Sequence, residues 1–134
     1  MNSERFLSRV LMADGVVSGL TGLALLVAPG AIASLIGLRS GAVVAAVGVG
    51  LLAYAAALVA GARGESARRT AALAVALNVA WLVGTVVVVV AGWLNREGNW
   101  ALILVGDVVL VFALLEGVGW RRTAGLTTVA EGRG

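Results

Sequence analysis

Thr70 to Leu94 reads TAALAVALNVAWLVGTVVVVVAGWL, a run without a charged residue in which Asn78 is the one side-chain amide. A hydrocarbon core of roughly 30 Å is crossed by about 20 helical residues. Lipid offers an open backbone no hydrogen-bond partner, so an apolar run of this length is read as a closed transmembrane helix.

Three more segments have the same character: Val10 to Ala28, Gly41 to Ala62, and Trp100 to Trp120. The breaks carry turn chemistry. Ala28-Pro29-Gly30 closes the first span, Gly61-Ala62-Arg63-Gly64-Glu65-Ser66 separates the second from the third, and Asn95-Arg96-Glu97-Gly98-Asn99 separates the third from the fourth. Connections this short make successive helices antiparallel neighbours. Ala31 to Leu38 (AIASLIGL) is apolar but too short to cross, and it suits a small helix lying in the interface. The expected fold is an all-α membrane protein: a four-transmembrane-helix antiparallel bundle with a short interfacial helix between spans 1 and 2. Residues 1–122 form one domain, and 123–134, with no apolar period, read as a flexible cytoplasmic tail.

Composition agrees. The 134 residues are 60% hydrophobic and 13% charged, with mean hydropathy +1.03, beyond what a soluble surface carries. Cysteine and histidine are absent. Disulfides, thiol catalysis, imidazole haem ligation and the usual zinc sites are thereby excluded, and no cofactor or metal is expected. No phosphate loop or nucleotide fingerprint occurs. The basic residues are all arginine, and the pI of about 11.1 suits anionic lipid headgroups rather than nucleic acid. The wealth of Ala, Val and Gly matches a GC-rich bacterial genome.

Arginine placement sets orientation. With the amino terminus inside, Arg5, Arg9, Arg63, Arg68, Arg69, Arg121, Arg122 and Arg133 are cytoplasmic, while Arg39 and Arg96 are outside, a split of eight to two among the ten. Both termini are then cytoplasmic in a bacterial inner membrane. Trp93 and Trp100 fall at the outer interface and Trp120 at the inner one. Ala31-Ile32-Ala33 resembles a signal-peptide cleavage site, but the apolar run before it is too long, so span 1 is expected to be a retained anchor.

Polar residues inside the spans are the candidate site. A charge at the bilayer centre costs about 2.5 to 3.5 kcal/mol on insertion scales, and an intramembrane carboxylate is by default a functional hypothesis. At roughly 1.5 Å per residue, Asp14 of span 1, Tyr54 of span 2 and Asn78 of span 3 fall at one level, about 12 Å from the cytoplasmic edge. Ser18 continues the face of Asp14. Asp107 and Glu116 of span 4 are nine residues apart, hence on opposite sides of a straight helix. Glu116 matches Arg9 in depth, and an ion pair between them is expected, with Asp107 facing the bundle centre or another subunit. Asp14, Asp107 and Glu116 are thus the candidate catalytic residues, with Tyr54, Asn78, Trp81, Ser18 and Arg9 as substrate-binding candidates. Each has a plainer role as well: an interfacial ion pair for Arg9 and Glu116, an interhelical hydrogen bond for Asn78, packing or anchoring for Tyr54 and Trp81.

Small residues recur at three- and four-residue spacing: Gly41, Ala45 and Gly48 on one face of span 2, Gly50 and Gly61 on others, and Gly15 and Gly19 in span 1. Such faces let helices approach closely. Packing within one bundle explains part of this, and small faces on several sides point to a homo-oligomer.

The run Arg9-x-x-x-x-Asp14-Gly15, then Ser18-Gly19-Leu20-x-Gly22-Leu23 and Leu25-Leu26-Val27-Ala28-Pro29-Gly30-Ala31-x-Ala33-x-Leu35-x-Gly37-Leu38, resembles the opening of small bacterial four-helix membrane proteins of the DoxX-like kind. The resemblance covers about the first 40 residues and the helix count. Many members of those families have no assigned activity, so it implies architecture. Small multidrug transporters also have four helices and an early carboxylate, but Asp14 stands where they have glutamate and none of their surrounding sequence is found. Their antiparallel dimers also need weak orientation bias, unlike the arginine split here.

Three functions fit these residues. One is an intramembrane site for a lipophilic small molecule, with acid–base chemistry such as isomerisation, epoxide opening or cyclisation. Another is an accessory or scaffold subunit of a membrane complex, and the third a proton-coupled transporter or channel. Expected partners are membrane lipids, the lipophile and further copies of the chain.

Overall fold

The computed structural model describes residues 3–132, with side chains described for 3–125. It is all-helical among these residues. Helix α1 covers Ser3–Val27, α2 Pro29–Ile36, α3 Gly41–Gly61, α4 Ser66–Ala91 and α5 Arg96–Glu131. Helices α1, α3, α4 and α5 are each long and apolar enough to cross a membrane, which makes the chain a multi-pass membrane protein of the expected all-α, four-span class with one short helix. Arg133, counted in the expected orientation, lies outside the described residues.

Glycine, proline and serine punctuate the chain. Pro29 occupies the first turn of α2, where its missing N–H costs no helical bond. Gly37 ends α2 with φ +86°, and its N–H bonds back to Ala33 and Ser34 carbonyls. Ser40 caps α3 by accepting from the Ala42 N–H at 3.1 Å. Gly92, at φ +69°, closes α4, so that helix stops at Ala91 and not at Leu94. Hydropathy marks only the lipid-crossing portion of a helix. The first and last helices extend beyond it, α1 starting at Ser3 and α5 running through the segment after Trp120 to Glu131.

The four long helices form a ring in which α1 packs most extensively on α3, α4 on α5, and α1 next on α5; the seam between α3 and α4 is slight. Glycine makes the α1–α3 contact. A Cβ built at Gly22 would sit 2.8 Å from the Gly48 carbonyl oxygen, and one at Gly48 2.9 Å from that of Gly22. Two helices this close exchange backbone contact that any larger side chain would separate.

The ends differ. At the basic end, Leu7, Leu11, Leu58, Ala62, Ala67, Ala71 and Ala74 form the apolar core, with Met12 and Tyr54 packed on it. At the opposite end, Asn95 ties the two turns together: its N–H donates to the Ile36 carbonyl at 3.0 Å, and its side-chain amide donates to the Leu35 carbonyl at 2.8 Å. Asn95 Oδ1 accepts from the Gly98 N–H at 2.8 Å. Gly37 and Gly98 allow that closeness, since Cβ atoms there would lie 2.9 Å from Asn95 N and 2.7 Å from the Ile36 oxygen.

Overpacking a well-fitted interface costs about 1–3 kcal/mol. Gly48→Leu is expected to lose that much stability in detergent unfolding. Gly84→Ala, whose Cβ would meet nothing within 4 Å, is expected to be neutral or to gain up to about 1 kcal/mol of helix propensity.

Candidate functional site

Just beyond the apolar core, each of the four spanning helices contributes a polar side chain to one cluster. Asp14 (4% exposed), Ser18 (9%), Asn78 (6%) and Glu116 (0%) are buried there, and Tyr54 is half-buried beside them. Ser18 Oγ donates to Asp14 Oδ1 at 3.0 Å, a bond that their spacing of one helical turn permits. The Tyr54 hydroxyl donates to Asp14 Oδ2 at 2.8 Å and lies 3.2 Å from Asn78 Oδ1. With one hydrogen, it serves one of these acceptors at a time.

Asn78 is the bridge. Its Nδ2 donates to Glu116 Oε2 at 2.9 Å and reaches Asp14 Oδ2 at 3.4 Å. One amide from α4 thereby joins a carboxyl group of α1 to one of α5. Ser18, Tyr54 and Asn78, which hydrogen-bond to the two acids, are uncharged, and the two carboxyl groups are also close enough to interact with each other. Glu116 Oε1 is buried with no hydrogen-bond partner.

The level expected for Asp14, Tyr54 and Asn78 is present, and Ser18 belongs to it. Glu116 is placed differently from expectation. It turns to the bundle axis and joins Asp14, while Arg9 is exposed on the outside of α1. Depth alone suggested an Arg9–Glu116 pair. Arg9 stands five residues before Asp14, about 140° around the helix at 100° per residue, so the two cannot share the inward face. Asp107 is exposed; the opposite-faces geometry holds, and with Glu116 inward Asp107 must point out of the bundle. Trp81 is half-buried, its buried Nε1 lacks a hydrogen-bond partner, and it is not bonded to the cluster.

Sequence reasoning missed the approach to the site. A crevice of about 580 Å³ opens between α3 and α4, lined by Gly50, Tyr54, Ala57, Leu58, Arg69, Thr70, Leu73 and Leu77. It lies at the slight seam of the ring. Tyr54 belongs both to its wall and to the polar cluster. Another opening of about 560 Å³ lies at the basic end, among Arg5, Arg63 and Arg68 and neighbouring residues. There Arg68 stacks over the Trp120 ring, 5.2 Å from its centroid, a cation–π contact.

In comparison with known proteins, the chain matches no family model, no curated protein and no solved structure.

Removing Asn78 strands Glu116, while Asp14 keeps its bonds from Ser18 and Tyr54. Asn78→Leu is expected to cost about 1–3 kcal/mol, the penalty for a buried acceptor without a donor. Tyr54→Phe, which removes one interhelical hydrogen bond, is expected to cost about 1 kcal/mol. Melting temperatures of the two variants in the same detergent test the order; a Tyr54 effect equal to or above that of Asn78 contradicts the bridging role.

Proposed function

We propose that the Asp14–Glu116 pair is the working site of this membrane protein, binding a lipophilic small molecule that arrives sideways from the bilayer and exchanging protons with it. The observation that carries this reading is the double position of Tyr54, in the wall of the α3–α4 crevice and hydrogen-bonded to Asp14. A water-soluble ligand from the basic end would have to pass the apolar core of Leu7, Leu11 and Leu58. A molecule dissolved in lipid meets no such barrier.

Two carboxyl groups lie in a dry interior, joined through the Asn78 amide and surrounded by uncharged hydrogen-bonding side chains. That is the arrangement for paired acid and base roles. Asp14, which accepts from Ser18 and Tyr54 and faces Asn78, suits the base. Glu116, with Oε1 unpartnered, suits the acid. The acid would protonate an epoxide oxygen or a double bond, and the base would remove a proton elsewhere on the same molecule, so that the pair ends with one proton as it began. Isomerisation, epoxide opening and cyclisation all balance in this way. Asn78 and Tyr54 would hold the substrate, whereas Arg9 and Asp107 stand outside the cluster and have no part in it.

A scaffold role draws on a different observation: the cluster touches all four spanning helices, so its hydrogen bonds also fix their register. Asp14→Asn and Glu116→Gln separate the two readings. For a working site, both variants keep particle size, helicity and melting temperature within a few degrees, while a lipophile copurifying with the wild type is lost on extraction and mass spectrometry. Collapse of assembly in both, with no lipophile in the wild type, favours the scaffold.

Orientation and assembly belong to the same proposal. Arg5, Arg9, Arg63, Arg68 and Arg69 lie at one end of the bundle with the later turns of α5, and Arg39 and Arg96 at the other. The basic end is assigned to the cytoplasm of a bacterium. A carboxy-terminal green fluorescent protein fusion is expected to fluoresce, and an alkaline phosphatase fusion at the same site to be inactive. Asp107, exposed among the exposed Ile103, Leu104, Val108 and Val111, is costly against lipid, which supports a second copy covering that face of α5. We propose a DoxX-like architecture from the resemblance of the run Arg9 to Leu38.

A further inference from the structure

The crevice between α3 and α4 has one-sided chemistry. Ala57, Leu58, Leu73 and Leu77 give it apolar walls, and the one charged side chain that lines it is Arg69, at its basic end beside Thr70. Among the described residues no acidic side chain lines it. Thr70 and Leu77 are seven residues apart on α4, so the crevice runs roughly 10 Å inward from the arginine. Its deep end is open, since a Cβ at Gly50 would meet nothing within 4 Å. A guanidinium recognises carboxylate or phosphate. An apolar wall takes a hydrocarbon chain, and about 580 Å³ is within the range, about 300–1,000 Å³, that holds one small ligand.

The geometry points to a single-chain anionic amphiphile of the cytoplasmic leaflet as the occupant: its acid head at Arg69, its chain along Leu73 and Leu77, and the carbons roughly 10 Å from the head beside Tyr54. This inference rests on the lateral-access reading above and names the class of molecule that reaches the acid pair. It also sets which part of the molecule is presented to the pair. The reactive group lies within the chain, since the head is held at the crevice mouth.

The full-length protein in a neutral detergent, titrated with oleate, oleyl alcohol and oleylamine and read by native mass spectrometry, tests it. Oleate is expected to bind most tightly and oleylamine least. Arg69→Gln is expected to weaken oleate about fivefold, the contribution of one cation near a charged headgroup, and to leave oleyl alcohol unchanged. Arg96→Gln, at the far end, is expected to leave both unchanged. Leu77→Trp fills the crevice and is expected to weaken oleate and oleyl alcohol alike; Gly50→Phe serves the same purpose if Leu77→Trp does not fold. Equal affinity of the wild type for oleate and oleyl alcohol overturns the proposal, and so does an equal loss of oleate binding in Arg69→Gln and Arg96→Gln. If a neutral lipophile is retained through Asp14 and Tyr54 while Arg69→Gln has no effect, the anionic class fails and the acid-pair site stands. Oleate binding that needs Arg69, in a protein whose Asp14→Asn and Glu116→Gln variants retain every copurifying lipophile, upholds the amphiphile and sinks the acid–base reading.

Discussion

The burial of two carboxyl groups in a lipid-embedded bundle is the constraint on which the rest of the structure depends. An acid facing hydrocarbon has no solvent to share its charge or proton, so Asp14 and Glu116 must find partners inside the protein. Asn78 supplies both, with one nitrogen 2.9 Å from Glu116 and 3.4 Å from Asp14. That single amide fixes the rotation of α1, α4 and α5 about their own axes. The helices themselves are nearly uniform in Ala, Val, Leu and Gly, and with lipid as apolar as their side chains, hydrophobic pattern alone leaves their facing faces undetermined. Polar contacts therefore decide the register that apolar packing then fills.

Glycine complements this. Because Gly22 and Gly48 bring α1 and α3 to backbone contact, α3 is held chiefly by α1, and its polar link to the acids is the Tyr54 hydroxyl. The arrangement is asymmetric: α1, α4 and α5 are joined through the acid pair, and α3 is docked on α1. The open seam between α3 and α4 follows from that asymmetry.

The sequence made the fold legible because the signals for it are local. Apolar runs of sufficient length, the Pro29 break and the Gly64 turn each specify a boundary without reference to the rest of the chain, whereas the stop at Gly92 lies inside a run that reads as apolar to Leu94. The polar level was legible too, because depth can be counted from a helix end. Angular position across helices was legible only in part. The nine-residue spacing placed Asp107 and Glu116 on opposite sides of α5, but which of them faced inward depended on Asn78, a residue 38 positions away from Glu116. Depth matched Arg9 to Glu116, yet the angle between Arg9 and Asp14 on α1 was enough to forbid the pair. The Asn95 clasp and the α3–α4 crevice had no local signature, since both arise where separate segments meet.

Within the cluster, Tyr54 is the residue that joins the crevice wall to the acid pair. Its hydroxyl lies 2.8 Å from Asp14 and 3.2 Å from Asn78, and one hydrogen cannot satisfy both. When Tyr54 donates to Asp14, α3 is tied to α1, the helix on which it already rests. When it donates to Asn78, it ties α3 to α4 across the weakest seam of the ring. The first bond is the shorter, and the second is the polar tie across the slight α3–α4 seam. The placement of an aromatic hydroxyl between the acids and the lipid-facing opening thus joins the wall of the crevice to the acid pair through one side chain.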